Sequence, residues 1–253
     1  MKISLAQIKP KLSKENIQKH LFYIQKAIKE NSNIIVFPEL SLNGYNLMDL
    51  VYEDAYGIDE LEVFEDLSKD IDIIVGVALR EKYRIFNSAV YFSDGKIAHI
   101  YHKNSLPNYG MFQEARFFFA GDTLEEFQTK YGSVVIAICE DLWNSKIIDK
   151  IVSIKPDIIY IPTASPARGF KNSGLEIEYK WNSILSTVAN LSGTHTVFVN
   201  RVGFEDGLGF WGGSRIVDPN GKVIEKAKLF EEELLHFQIS KQLSYTQKYL
   251  LRK

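Results

Sequence analysis

The sequence predicts an α/β layer fold on mixed sheets, and three observations carry that expectation. Unbroken apolar runs rich in β-branched residues, around Ile34-Ile35-Val36, Ile73-Ile74-Val75, Val134-Val135-Ile136 and Ile158-Ile159-Tyr160, have the composition of strands buried on both faces. Segments with apolar residues at helical spacing alternate with them, the pattern of strands joined through covering helices. Asp94-Gly95 and Pro219-Asn220-Gly221 each lie between strand-like segments and add antiparallel hairpins.

The elements follow in order. Residues 3–8 read as a first strand closed by Pro10, and residues 14–30 as a helix with Ile17, Leu21, Ile24 and Ile28 on one face and Ser13 placed to cap it. Residues 33–37 form a second buried strand that runs into Pro38-Glu39, with a loop over 40–45. A helix over 59–67 precedes a third strand over 71–79, and residues 87–92 and 96–102 form the first hairpin, ending at Lys103. Residues 104–123 lack periodicity but hold Tyr109, Phe112, Phe117, Phe118 and Phe119, which suits an ordered functional loop. The strand over 134–138 ends in Cys139-Glu140-Asp141-Leu142-Trp143. A short helix over 145–154, a strand over 157–162 and a loop over 163–172 lead to a helix over 176–192 carrying Trp181, Leu185, Val188 and Leu191. Residues 196–201 are a strand, Gly209, Gly212 and Gly213 are turn glycines, residues 214–218 and 222–224 make the second hairpin, and residues 234–239 a last strand.

The totals set limits. With 253 residues, 45% hydrophobic and 25% charged, and no linker-like tract or repeat, residues 1–253 are expected to form one domain. The tail beyond about residue 240 is expected to be extended or to sit at an oligomer interface. A net charge of -2 gives no electrostatic case for nucleic acid or an anionic membrane. A single cysteine excludes an internal disulfide and a thiolate zinc cluster, and the five histidines are scattered, so no metal is expected. The dinucleotide and P-loop fingerprints are absent, so no cofactor is expected either. No apolar run reaches the roughly 20 residues of a membrane span, and the start has no signal-peptide pattern, so the expected location is the cytoplasm.

Chemistry gathers at strand ends. Glu39, Lys103 and Cys139 each follow a strand, and strands of one sheet would deliver their termini to one rim. Their flanks, Phe37-Pro38-Glu39-Leu40, Lys103-Asn104-Ser105-Leu106-Pro107-Asn108-Tyr109-Gly110 and Ile138-Cys139-Glu140-Asp141-Leu142-Trp143, resemble the three catalytic signatures of the nitrilase, or carbon–nitrogen hydrolase, superfamily, in that family's order. The resemblance implies a four-layer α-β-β-α sandwich with two mixed sheets, which commonly dimerises through its helical face. The stretch from Leu106 to Phe118 is similar to a loop of the glutaminase domain of glutamine-dependent NAD synthetases. Ala164-Ser165-Pro166, Val199-Asn200-Arg201-Val202-Gly203 and Gly212-Gly213-Ser214 fit the same domain. Two departures stand out: no ammonia-consuming synthetase domain follows within the 253 residues, and Gly174-Leu175-Glu176-Ile177-Glu178 replaces expected basic residues.

The resemblance implies Cys139 as nucleophile, Glu39 as general base, Lys103 with the Glu140 N–H as oxyanion donors, and Glu114 as a fourth member orienting the lysine. It implies Tyr109, Ser165 and Lys171 as contacts for a glutamine-like substrate, and Glu140 and Trp143 suit its pocket wall. A Cys–His dyad with His99, His102 or His195 is the weaker reading, because none lies in a motif. The function expected is hydrolysis of a linear amide through a cysteine thioester, most simply glutamine hydrolysis supplying ammonia to a separate NAD synthetase, by a homo-oligomer. A free-standing ω-amidase or N-carbamoyl amidohydrolase, and a non-catalytic scaffold subunit, are the alternatives.

Overall fold

In the computed structural model, which describes residues 1–172 and 174–240, two six-stranded sheets lie face to face between helices. The first half runs β1 (Lys2–Gln7), α1 (Asn16–Lys29), β2 (Ile34–Val36), α2 (Val51–Asp54), α3 (Glu62–Leu67), β3 (Asp72–Glu81), β4 (Arg84–Ser93) and β5 (Lys96–His102). Next come α4 (Glu114–Phe117), β6 (Phe127–Thr129), β7 (Gly132–Ile136), α5 (Ser145–Ile154), β8 (Ile158–Thr163), β9 (Phe170–Lys171), β10 (Gly174–Leu175) and α6 (Glu176–Ser192). The chain continues through β11 (His195–Asn200), β12 (Val202–Glu205), β13 (Leu208–Trp211), β14 (Arg215–Val217), β15 (Val223–Lys226) and β16 (Glu233–Gln238). The first sheet has the order β16-β1-β2-β3-β4-β5 and the second β15-β14-β11-β8-β7-β6. Each is parallel at its centre, β1-β2-β3 and β11-β8-β7, and antiparallel at its flanks.

Side-chain alternation assigns each layer. On the first sheet Ile34, Val36, Ile74, Ala89 and Tyr91 join the core facing the second sheet. Their neighbours Ile35, Phe37, Ile73, Val75, Val90 and Phe92 join a separate core under α1 and α3. A one-residue slip would exchange the two sets, so burial on both faces pins the register. On the second sheet, Trp181, Leu185 and Val188 of α6 and Ile147 and Ile151 of α5 complete the core from outside. The layers are therefore helix, sheet, sheet, helix, as the resemblance implies.

Local readings differ in places, for identifiable reasons. Ser13 does not cap α1: its Oγ accepts the Glu15 N–H at 3.1 Å, and the helix begins only at the buried Asn16, whose amide binds Lys11, Ser13 and Leu42. The helix expected over 59–67 splits into a 3-10 turn, Ile58–Leu61, and α3. Asp94 and Gly95 take φ of 52° and 79°, as the tight hairpin demands. The same geometry at Asp206 and Gly207 makes β12 and β13 a hairpin where the sequence suggested only turns. The tail expected to be extended or at an oligomer interface lies outside the described residues. No helix among the described residues is long and apolar enough to cross a membrane.

One buried titratable group links this packing to pH. His20 on α1 is fully enclosed between Phe37 and Phe64, with Nδ1 against the Asn16 carbonyl and Nε2 against Ser41 Oγ. Burial dominates and drives its pKa down to about 4, helped by Lys19 and opposed by the Asn16 carbonyl. The unfolded chain therefore takes up a proton below about pH 6.5 that the folded chain refuses until about pH 4. Stability is full above pH 6.5 and falls with acidification across that window, by about 3 kcal/mol if the whole shift is expressed. Calorimetric Tm from pH 7 to pH 4.5 is expected to fall less steeply in His20→Gln than in the wild type; parallel slopes would refute the assignment.

Candidate active site

Three strands from two sheets bring the predicted groups together. Glu39 lies three residues beyond β2 and Lys103 directly after β5, both in the first sheet, whereas Cys139 follows β7 of the second. The single shared sheet edge expected from sequence is thus a meeting of two facing edges. Pro38-Glu39-Leu40 crosses β3 at Gly76, where an added Cβ would stand 2.2 Å from the Pro38 carbonyl oxygen and 2.8 Å from Glu39 Cα. Only glycine leaves room for that crossing. Cys139 adopts φ of 44° and opens a 3-10 turn, Cys139–Trp143, so the chain bends sharply at the thiol.

Lys103 is completely buried. Its Nζ donates to Glu39 Oε1 at 2.6 Å and to both oxygens of Glu114 at 2.8 Å. Glu39 Oε1 also accepts from Asn87 Nδ2 at 2.8 Å, and Oε2 accepts the Ala164 N–H at 2.8 Å. Glu114 accepts a further hydrogen bond from the buried Tyr45 hydroxyl. Burial would lower the Lys103 pKa, but Glu114 and Glu39 overcome it and hold the ammonium well above the usual lysine range. Burial pushes Glu114 up to about 7, with Lys103 opposing and Glu39 adding to the rise. Burial also pushes the Cys139 thiol up, Glu39 and Glu114 push the same way, and Lys103 and the Ala164 N–H pull it down. The resting thiol is therefore protonated at neutral pH.

Cys139 lies in a pocket of about 270 Å³ with Tyr109, Glu140, Trp143, Ser165 and Trp181 in its wall. The Tyr109 hydroxyl donates to Glu140 Oε1 at 2.9 Å, and Trp143 meets Trp181 edge to face at 5.4 Å. Ser165 Oγ accepts from Trp181 Nε1 at 2.9 Å, so the loop after β8 is tied to α6 at the pocket. Lys171 is not brought in. It sits on β9 with its ammonium drawn to Glu176 at 3.1 Å, and Glu176 also holds Lys180 at 3.1 Å. The cations in the pocket wall are Arg168 and Lys180. Among the described residues Arg168 has no carboxylate partner within salt-bridge distance: its guanidinium lies 4.7 Å from the Phe112 ring centroid and reaches Met111 Sδ at 3.2 Å. The histidines weighed for a dyad stand apart from this pocket: His102 bonds Ser88 and Glu81, and His99 stacks on Phe127.

Sequence reading passed over several residues that build the site. Asp141 is fully buried: Oδ1 accepts the N–H groups of Asn104 and Ser105 at 3.2 and 2.8 Å, and Oδ2 accepts the Ile138 N–H and the Tyr101 hydroxyl at 2.9 and 2.8 Å. One carboxylate thus clamps the segment after Lys103 to the turn at Cys139. Arg201, directly after β11, and Glu205 on β12 pair at 2.6 Å, and Glu205 Oε1 takes the Tyr45 N–H, so Tyr45 is fixed from the β12–β13 hairpin. A polar residue inside an apolar strand, as at Asn87, and an acid inside the Cys139 motif, as at Asp141, were the signals available.

Comparison with known proteins places the whole arrangement. A family model described as carbon-nitrogen hydrolase matches residues 2–249. A glutamine-dependent NAD(+) synthetase of Acinetobacter baylyi is 31% identical over 240 residues, covering 93% of this chain and 43% of that protein. The solved glutamine-dependent NAD+ synthetase of Acinetobacter baumannii superposes with a TM-score of 0.83 at 29% identity, covering 93% of this chain and 44% of that one. A carbon-nitrogen hydrolase of Helicobacter pylori superposes with a TM-score of 0.82 at 25% identity, covering 93% and 88%. The chain thus spans less than half the length of the synthetases it matches. On its full-length match and its two-sheet sandwich, this chain belongs to the carbon-nitrogen hydrolase family.

Proposed function

We propose that the protein hydrolyses the side-chain amide of glutamine through a Cys139 thioester and supplies the ammonia to a separate NAD synthetase. The observation that carries the hydrolytic part is the buried Lys103 held between Glu39 and Glu114 beside the only cysteine, in a pocket of about 270 Å³. An amide carbonyl is a weak electrophile, so attack needs a thiolate, and a thiol with a raised pKa needs a base in the same step. Cys139 Sγ forms the S–C bond while its proton passes to Glu39 and the carbonyl pair moves onto oxygen. Lys103 Nζ and the Glu140 N–H, at the open start of its 3-10 turn, receive the oxyanion; each such donor contributes about 3 kcal/mol in the transition state. Lys103 already serves three acceptor atoms, so it frees a donor by giving up one of its two contacts to Glu114. Collapse breaks the C–N bond as Glu39 returns the proton to nitrogen. Glu39 then deprotonates the water that splits the thioester, releasing the acid and restoring the thiol.

The pocket's charges favour a zwitterionic substrate over a plain aliphatic amide. Glu140 on one wall suits an α-ammonium, and the carboxylate-free Arg168 suits an α-carboxylate, the geometry for which a guanidinium is the stronger partner. Arg168 takes the place first given to Lys171. The relatives' glutamine dependence supports the same substrate, and their being NAD synthetases supports NAD synthesis as the destination of the ammonia. Pairing of two copies through the α5–α6 layer belongs to the same reading.

Two assays test it. Purified protein is expected to release ammonia from glutamine, faster with an NAD synthetase that lacks its own glutaminase part, and Cys139→Ala is expected to abolish release. Equal turnover of simple aliphatic amides would favour the ω-amidase alternative, and no turnover of any amide, with or without a synthetase present, would favour the scaffold. Arg168→Ala is expected to raise KM for glutamine about tenfold or more while leaving KM for butyramide, which lacks the carboxylate, nearly unchanged. An equal rise for both amides would remove Arg168 from substrate recognition.

A further inference from the structure

We propose that Asn87 is a positioning residue that selects Oε2 of Glu39 as the oxygen taking the Cys139 proton; the inference rests on the reading of Glu39 as the base. A carboxylate has about four lone-pair positions. On Glu39, Oε1 accepts both Lys103 Nζ at 2.6 Å and Asn87 Nδ2 at 2.8 Å, which fills it. Oε2 accepts only the Ala164 N–H at 2.8 Å and keeps one position open. Ala164 directly precedes Ser165, which lines the same pocket as Cys139, whereas Asn87 and Lys103 lie outside that wall, so the open oxygen is the one on the thiol's side of the carboxylate. Without Asn87, Oε1 would regain a free position and compete for the proton from the wrong side.

The placement of Asn87 is specific. It is fully buried on β4, and its backbone carbonyl accepts the Lys103 N–H at 2.9 Å. Its Nδ2 also faces Glu114 Oε2 at 3.5 Å, so one amide group looks onto both carboxylates. Its Oδ1 has no hydrogen-bond partner among the described residues. A buried, unsatisfied carbonyl is costly. The opposite orientation would set that oxygen against two carboxylates, so the amide is held by its donor side. The charged and titratable groups facing Glu39 are Lys103 directly after β5, Glu114 from α4, Tyr45 from the loop after β2, Cys139 and Glu140 from the turn after β7, and Arg201 directly after β11.

The test compares Asn87→Ala, which removes the donor, with Asn87→Asp, which replaces it by a third acid of the same shape. Both are expected to lower kcat tenfold or more with KM within threefold. In both, the acid limb of the kcat/KM profile is expected to move up by about half a pH unit or more, and farther in Asn87→Asp, because a hydrogen bond favouring the charged carboxylate is lost. Partial unfolding would lower the amplitude of that profile without moving its limb. The alkylation rate of Cys139 by iodoacetamide against pH, read by mass spectrometry, is expected to show the same displacement. That arm needs no substrate, so it holds even if glutamine is not turned over. An unmoved acid limb in both variants, in hydrolysis or in alkylation, overturns the proposal, as does a loss confined to KM.

Discussion

The fold is arranged around one buried ion cluster. An ammonium with no solvent contact has lost several kcal/mol of hydration, and only close, fully hydrogen-bonded anions make that tolerable. Lys103 has three donors and finds three acceptor atoms, all between 2.6 and 2.8 Å. The match is complete but the charge is not balanced. Two carboxyl groups face one ammonium, and burial, with Glu39 adding and Lys103 opposing, pushes Glu114 up to about 7. Removing either partner of such a pair typically costs 3–5 kcal/mol, by stranding a charge. The cluster must therefore be built whole, and the surrounding elements show how.

Each member is anchored from somewhere else in the chain. Gly76 lets the Glu39 segment lie against β3, Asp141 clamps the chain after Lys103 to the turn at Cys139, and the Arg201–Glu205 pair fixes Tyr45 from the β12–β13 hairpin beyond β11. These anchors join the two sheets at one end. The Cys139 thiol from one sheet and the Glu39 carboxyl group from the other can keep a fixed geometry only if the sheets cannot slide, and close packing between them supplies that rigidity.

Much of this was legible in the sequence and some was not, for physical reasons. Strands buried on both faces announce themselves as apolar runs, and the glycine turns at Asp94-Gly95 and Pro219-Asn220-Gly221 left little choice of connection. The turn at Lys82, with φ of 54° but no glycine, gave no such signal, so the full length of the β3–β4 hairpin was missed. Within the site, Glu39, Lys103 and Cys139 were visible because each lies beyond an apolar strand in a motif. Asn87 and Asp141 act through partners far away in the chain, and nothing local says which amide or acid will be enclosed. Lys171 is a related case: its ammonium goes to Glu176, itself in the pocket wall, and nothing local in the sequence says which acid a lysine will meet.

The excess negative charge also bears on when the nucleophile forms. A thiolate at rest would place a further anion against two carboxylates, and burial with Glu39 beside it keeps the thiol protonated. In the reading of Glu39 as base, transferring the proton to that carboxyl group creates the thiolate while neutralising the neighbour that opposed it. The net charge of the cluster is then unchanged through the step, so no hydration is needed to stabilise it, and water can be excluded. The same balance protects the resting cysteine, since oxidants and adventitious electrophiles attack the thiolate. A free low-pKa thiolate would be exposed to both at all times. On the reading of Glu39 as base, coupling the charge to a proton jump confines it to the moment when an electrophile is in place to receive the attack.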